Sequence, residues 1–271
     1  MIKGLVLYDY DGTLVDERDQ IYVPTQTTRK AISKLQDLGY LCVLATGRAL
    51  SYIPSGAKDL HLDGYVTSNG AHVTIHGKVI FNDVFSDDEL LKLVHYMDEH
   101  HINYILEGTD FCYVKDLQER EYLHFMDNFK IPADNFVRYR SFEEVKGKIG
   151  KITFIFQNRK ELETSSKLLE ETYLCSYHRN CNTFDIAKKS IHKGVGAKAI
   201  MDYYQIPASS AYAFGDGDND VELLAAVGHG IAMRKHDPKL DAVAKMVTGT
   251  VKEEGIYEAL KKLEVLKDGI S

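Results

Sequence analysis

Two short acidic clusters carry the residue types for nucleophilic attack, proton transfer or the binding of a hard cation. Asp9-Tyr10-Asp11-Gly12-Thr13 places two carboxylates two residues apart, directly after the apolar run Ile2 to Tyr8. In extended geometry residues i and i+2 point to one face, so both acids would address the same space. Unlike surroundings can separate their pKa values, so that one serves as nucleophile or ligand while the other manages protons. The second cluster, Gly215-Asp216-Gly217-Asp218-Asn219-Asp220, follows another apolar run, Ala211 to Phe214. Carboxylates this dense, without Lys or Arg among them, repel one another. A bound cation offsets that repulsion, and an oxygen-rich donor set suits Mg2+. Taken alone, each cluster is equally what turns and helix N-caps are made of. The second lacks the full EF-hand ligand pattern with its final Glu, and the chain has no GxxxxGK phosphate loop followed by Ser or Thr.

The elements that must position these acids follow an alternating order. Ile2 to Tyr8 reads as a buried strand, residues 25–38 as a helix with Ala31, Ile32, Leu35 and Leu38 at helical spacing, and Gly39 as its stop before a strand from Tyr40 to Ala45. A weaker helical stretch at 50–59 precedes the strand Tyr65 to Thr67, and a hairpin is expected over 71–85. Ser86 with Glu89 makes a capping box for the next helix. Between about 83 and 187 the pattern changes to short strands (103–107, 111–114, 152–156, 184–187) with helical stretches at 116–129 and 160–171. Alternation then resumes with a helix at 194–204, a strand at 211–214, a helix at 219–226, a strand at 229–232 and terminal helices around 237–245 and 253–263. This is the order of an α/β protein with a Rossmann-like parallel-sheet core, interrupted by an inserted α/β domain. Core segments are expected at 1–83 and 188–271, with the insertion at 84–187. In such a sheet ligands bind beyond the carboxyl ends of the strands, which is where Asp9, Thr46, Asn69 and Asp216 fall.

Composition bounds the reading. The 271 residues are enough for about 1.8 domains of roughly 150 residues each. A net charge of -7 gives no global field for nucleic acid or anionic membrane, though a local basic pocket could hold a phosphate. The four cysteines have neither zinc-site spacing nor the density of a disulfide-stapled domain. Acidic residues occur by position 9, before any apolar segment long enough for a signal peptide, and no stretch approaches the roughly 18 apolar residues of a membrane span. A cytoplasmic protein is expected, with neither nucleic acid nor membrane as partner.

DYDGT at 9–13, TGR at 46–48, Lys193, and GDGDND at 215–220 resemble, in order and strand-end placement, the four motifs of the haloacid-dehalogenase-like phosphohydrolases. Ser68-Asn69-Gly70-Ala71 and the insertion between the second and third motifs resemble the bacterial Cof-type sugar-phosphatase branch, whose cap is an α/β insertion of the C2B type. The resemblance spans nearly the whole chain and is weakest within the cap. It implies that Asp9 attacks phosphorus to form an aspartyl-phosphate, and that Asp11 protonates the leaving alcohol and then activates water. It also implies that Thr46 and Lys193 stabilise the transferring phosphoryl group. The implied cofactor is Mg2+, held by the Asp9 carboxylate, the Asp11 carbonyl and the Asp216 carboxylate, with Asp220 orienting a metal-bound water or Lys193. Gly12, Gly47, Arg48, Asn69 and Asn219 are the further candidates on the phosphate or substrate side.

Several residues have plainer readings. Arg48 could reach a phosphate or fix its own loop, Asn69 could line the site or shape the turn, and Asp218 occupies a variable place in its motif. Asp16-Glu17-Arg18-Asp19 reads as a solvated face. In the insertion, Glu107, His178, Arg179 and Asn182 stand near strand ends and are candidates for leaving-group selection, whereas His95, His100 and His101 read as surface histidines at a helix end. The function expected is a magnesium-dependent phosphomonoester hydrolase of small metabolites, sugar phosphates first, acting as a monomer or weak homodimer. A phosphomutase, and a non-catalytic regulatory module that retains the fold, are the alternatives.

Overall fold

The run GLVLY forms the strand β1 (Gly4–Tyr8), and every residue in it is buried. A strand covered on both faces has no polar side to alternate with. The fold is that of a computed structural model, which describes residues 2–128, 131–178 and 181–266. After β1 come α1 (Gln26–Asp37), β2 (Tyr40–Ala45), the single turn α2 (Ser55–Lys58), β3 (Gly64–Thr67) and the antiparallel pair β4 (His72–Ile75) and β5 (Lys78–Asn82). The inserted stretch contributes α3 (Asp87–Glu99), β6 (Asn103–Gly108), β7 (Cys112–Val114), α4 (Arg120–Asn128), β8 (Phe136–Arg138), β9 (Ile149–Ile155), α5 (Arg159–Leu169), β10 (Tyr173–Tyr177) and β11 (Thr183–Lys188). The chain then continues through α6 (Lys193–Tyr204), β12 (Ala211–Gly215), α7 (Val221–Ala226), β13 (His229–Ala232), β14 (Met246–Val247) and α8 (Gly255–Lys262).

By contacts the chain divides into two units. One comprises Met1–Gly47, Pro54–Asn82 and His192–Ser271, and the other Arg48–Ile53 and Asp83–Ile191. The first holds an eight-stranded sheet in the order β14-β13-β12-β1-β2-β3-β4-β5. It is parallel from β14 to β3 and turns antiparallel at β4 and β5. Leu5 and Leu7 of β1 and Val43 of β2 pack with Ile200 of α6 and Leu223 of α7 on one face. Toward the other face Cys42 Sγ meets the Ile32 carbonyl of α1, and Tyr8 stacks on Phe214 at 5.6 Å. Thr25 caps α1 through the Thr28 N–H, and Gly39, at a φ of 90°, ends the turn after it.

The second unit holds a six-stranded sheet in the order β10-β11-β9-β6-β7-β8, antiparallel except between β7 and β8. One face, with Tyr104, Leu106, Ile152, Phe154 and Phe184, joins Leu90, Val94 and Met97 of α3 and Leu162 of α5 in a core. The capping box of Ser86 and Glu89 opens α3 as its sequence predicts. The strands β8 and β10 and the edge strand β14 were not anticipated. The stretch 50–59 is no single helix. It makes a 3-10 turn at Leu50–Tyr52 and the short α2, separated at Ile53 and Pro54, because proline bars its predecessor from helical geometry. Around 237–245 only a 3-10 turn, Pro238–Ala242, forms. The four cysteines carry free thiols, and among the described residues no helix is long and apolar enough to cross a membrane.

Candidate active site

β12, β1, β2 and β3 are consecutive in the first sheet, so the loops leaving their carboxyl ends converge. Asp9 is the first residue beyond β1. Its N–H donates to the Phe214 carbonyl at 2.9 Å, prolonging the β1–β12 ladder by one bond, and its side chain is buried. Asp11 is exposed. Gly12, with a φ of 95°, turns the chain in the left-handed region and lies against Asp216. Thr13 is fully buried and donates its hydroxyl to Asp216 Oδ1 at 3.1 Å.

Lys193, the first residue of α6, is completely buried. Its Nζ donates to Asp9 Oδ1 at 2.5 Å and to Asp220 Oδ1 at 2.6 Å. Asp220 Oδ2 accepts from the backbone N–H groups of Asp216 and Gly217, both at 3.0 Å. Asp220 therefore ties the Gly215–Asp220 loop to Lys193. The placement of Lys193 depends on a contact that sequence patterning does not reveal. Gly70 has a φ of 105°, and a Cβ there would stand 2.3 Å from the His192 carbonyl, so the turn after β3 packs directly on the start of α6.

Thr46 follows β2. Its side chain is buried, its N–H donates to Val66 O at 2.9 Å, and its carbonyl accepts from Asn69 N at 3.2 Å. Asn69, also left-handed with a φ of 54°, accepts from Asn219 Nδ2 at 3.2 Å, and Gly47 lies against the Asn69 side chain. Asp9, Thr46, Gly47, Asn69, Asp216, Asn219 and Asp220 thus sit just beyond the carboxyl ends of neighbouring strands of one sheet, and Lys193 reaches Asp9 and Asp220 from the start of α6. Arg48 belongs instead with the inserted unit, and Asp218 is exposed, 3.5 Å from Lys239.

The electrostatics follow from burial. Desolvation would discharge Lys193, but the Asp220 and Asp9 carboxylates more than offset it and hold its pKa above the usual range. Burial raises Asp9 well above the carboxylate range. Lys193 opposes that shift, while Asp220, Asp216 and Asp11 reinforce it. Asp216 is pushed up to about 6, by burial first and Asp220 second. More negative charge is collected here than Lys193 can balance. Among the described residues, Asp9, Asp216 and Asp220 are the one group of acidic, His or Cys side chains placed to share a metal ion, with ligand atoms within 4.8 Å of one another. A buried, all-oxygen donor set with excess negative charge fits a hard divalent ion. His95, His100 and His101 form no such group.

Arg18 was not anticipated. The run 16–19, which reads as a solvated face, contains a buried Asp16 and an Arg18 whose Nη2 lies 3.5 Å from Asp216 Oδ2. In the inserted unit, Glu107 and His178 join a buried network with Tyr52, Lys151, Thr153 and Asp185. The Tyr52 hydroxyl donates to Glu107 at 2.6 Å, Lys151 contacts Asp185 at 2.7 Å and Glu107 at 3.0 Å, and His178 contacts Asp185 at 3.1 Å. The alternating faces of a strand explain why Lys151 and Thr153 share this polar side while Ile152 and Phe154 face the core. Asn182 gives its carbonyl to Phe156 N and borders a cavity of about 530 Å3 with Phe125, His124 and Gln157. Arg179 lies outside the described residues.

The family model for haloacid dehalogenase-like hydrolases matches residues 6–260. YkrA of Bacillus subtilis, whose assigned name is a phosphatase of unspecified substrate, is 27% identical over 270 residues, covering 98% of this chain and 100% of its own. YitU of the same organism, named 5-amino-6-(5-phospho-D-ribitylamino)uracil phosphatase, is 25% identical over 274 residues, covering 95% and 96%. Among solved structures, BT4131, described as a sugar phosphatase of HAD subclass IIB, superposes with a TM-score of 0.76 at 25% identity, covering 97% of this chain and 99% of its own. The family match runs through both acidic clusters, Lys193 and the whole insertion, and the chain therefore belongs to the haloacid dehalogenase-like hydrolases, in their Cof-type branch.

Proposed function

We propose that this phosphatase is a cytoplasmic, Mg2+-dependent hydrolase of small phosphomonoesters, sugar phosphates first, that works through an aspartyl-phosphate. The observation that carries the reading is the Lys193 ammonium between Asp9 and Asp220, at 2.5 and 2.6 Å, at the strand ends that also present Asp216. Asp9 attacks phosphorus in line, so that an Asp9 O–P bond forms as the ester P–O bond breaks. Asp11, exposed beside it, gives its proton to the leaving alkoxide. It then takes a proton from the water that cleaves the acyl phosphate, which releases inorganic phosphate and restores Asp9. Lys193 and the Thr46 hydroxyl stabilise the phosphoryl oxygens, and Gly12, Gly47, Asn69 and Asn219 line the same side.

The Asp9 carboxylate, the Asp11 carbonyl and the Asp216 carboxylate would hold Mg2+, which when bound neutralises charge on the phosphoryl group. Asp220, with Oδ1 on Lys193 and Oδ2 on two backbone N–H groups, has a positioning role. The inserted unit selects the leaving group, with Arg48 as a further substrate-side candidate. The substrate class is supported by the names of BT4131 and YitU, the latter a phosphatase of a phosphoribityl compound.

The test is phosphate release across a panel of phosphorylated metabolites, with and without Mg2+, beside Asp9→Asn. Release that needs Mg2+ and is lost in the variant supports the reading. Equal release by the variant would sink it, and phosphate retained on an isomerised sugar would show a mutase.

A further inference from the structure

We infer that Arg18 is a built-in counter-cation for Asp216, holding that carboxylate when no divalent ion is bound and yielding it to the ion, so that Arg18 weakens the site's cation affinity. The inference rests on the cation reading above and concerns a residue outside the motifs that suggested it. Asp16 is only 2% exposed. Its Oδ1 accepts from Arg18 N at 3.0 Å and from Arg18 Nε at 2.7 Å, and these bonds fix where the guanidinium stands. Nη2 is thereby placed 3.5 Å from Asp216 Oδ2, while Asp216 Oδ1 takes the Thr13 hydroxyl. One guanidinium spans two carboxylates, held tightly at Asp16 and loosely at Asp216.

The asymmetry carries the argument. A contact at 3.5 Å from a side chain that is 51% exposed is weak and readily displaced. A divalent ion approaches a carboxylate oxygen to about 2.1 Å with twice the charge, so it takes Asp216 from Arg18. The guanidinium, still anchored at Asp16, then faces the ion with like charge. Before the ion arrives, the same guanidinium relieves repulsion among Asp9, Asp216 and Asp220. Arg18 thus favours the cation-free form over the loaded one.

The experiment titrates Mn2+ as probe ion into the wild type, Arg18→Gln, Arg18→Lys and Lys235→Gln, reading free Mn2+ by its solution EPR signal. Lys235 is the control for charge alone, since its Nζ reaches Asp19 at 2.7 Å and Asp16 at 3.9 Å. Arg18→Gln is expected to bind Mn2+ about 3- to 10-fold more tightly, the scale of one partly screened charge near the ion. Arg18→Lys should lie between, and Lys235→Gln should shift less than about 2-fold. In chelator, Arg18→Gln should also lose thermal stability that saturating Mn2+ restores. Unchanged or weaker binding by Arg18→Gln overturns the inference, as does an equal shift in Lys235→Gln. If the wild type binds no Mn2+, the cation reading itself falls and this inference with it.

Discussion

Gly12 leaves no room for a side chain beside Asp216: a Cβ built on it would lie 2.0 Å from Asp216 Oδ2. The φ of 95° at Gly12 adds a conformational cost of about 1–3 kcal/mol for any other residue. Gly12→Ala is therefore expected to fold with reduced stability and to displace the Asp216 carboxylate. Steady-state assays across a Mg2+ series should show the half-saturating Mg2+ rising by at least about 10-fold, the equivalent of about 1.4 kcal/mol.

Lys193→Met removes the charge that faces Asp9 and Asp220 and leaves two buried carboxylates without it. Breaking a buried pair in this way costs about 3–5 kcal/mol. Urea unfolding in chelator should show that loss, and Lys193→Met combined with Asp220→Asn should recover part of it. Full stability in the single variant would contradict the ion pairs at 2.5 and 2.6 Å.

Asp11→Asn should lower kcat by about 100- to 10,000-fold for an alkyl phosphate, the range of a lost general acid and base. The loss in the first step should shrink for p-nitrophenyl phosphate, whose leaving group needs no proton. Burst kinetics separate that step from the later hydrolysis, and an equal loss with both esters would remove Asp11 from the acid role.

The inserted unit offers a proton count. Thr153 has one hydroxyl proton, yet its Oγ1 lies 2.5 Å from Glu107 Oε1 and 2.7 Å from Asp185 Oδ1. Burial raises Glu107, whereas at Asp185 the Lys151 ammonium and the neighbouring His178 imidazole overcome burial and lower its pKa. The expectation is that Glu107, whose carboxyl burial pushes up against the opposing charge of Lys151, supplies the second proton. Glu107→Gln should cost less than about 1 kcal/mol, while Lys151→Met, which strips Asp185 of its cation, should cost about 3–5 kcal/mol. Denaturant midpoints of the two variants decide.

The depressed pKa of Asp185 also fixes a pH dependence. A carboxyl whose folded pKa lies below its unfolded value of 3.8 contributes stability that is present above that value and is lost as the pH falls through the folded pKa. Asp185→Asn should therefore reduce stability near neutrality and flatten the acid limb of a melting-temperature profile below about pH 4.

Much of the sheet core was legible because doubly covered strands must be continuously apolar. GLVLY and YLCVLA announce themselves, and the polar residues that stop them fall at the loops where the site is built. Lys193 was found by resemblance alone, since a lysine opening a helix ordinarily signals exposure and only tertiary partners make its burial tolerable. Arg18 escaped because a run of charges reads as solvated, and the burial of Asp16 is decided by residues distant in sequence. The helical stretch at 50–59 failed at Pro54. The grouping of Arg48–Ile53 with the insertion was invisible for a different reason: Tyr52 is held there by Glu107 and Lys151, partners about 50 and 100 residues further along.

The Lys193 to Asp9 bond joins residues 184 positions apart, and β12, the neighbour of β1 in the centre of the sheet, lies beyond the whole insertion. During synthesis at about 5–20 residues per second, roughly 10 to 40 s separate the emergence of these two partners from the ribosome. Over that interval β1 can pair only with β2, and its other edge awaits β12. The nascent chain must keep an apolar strand edge from self-association, and it carries the Asp9 carboxylate before Lys193 exists. The loop cluster around Asp9 is thus completed only after the whole insertion has been made, so the insertion sets how long the β1 edge and the Asp9 carboxylate wait for their partners.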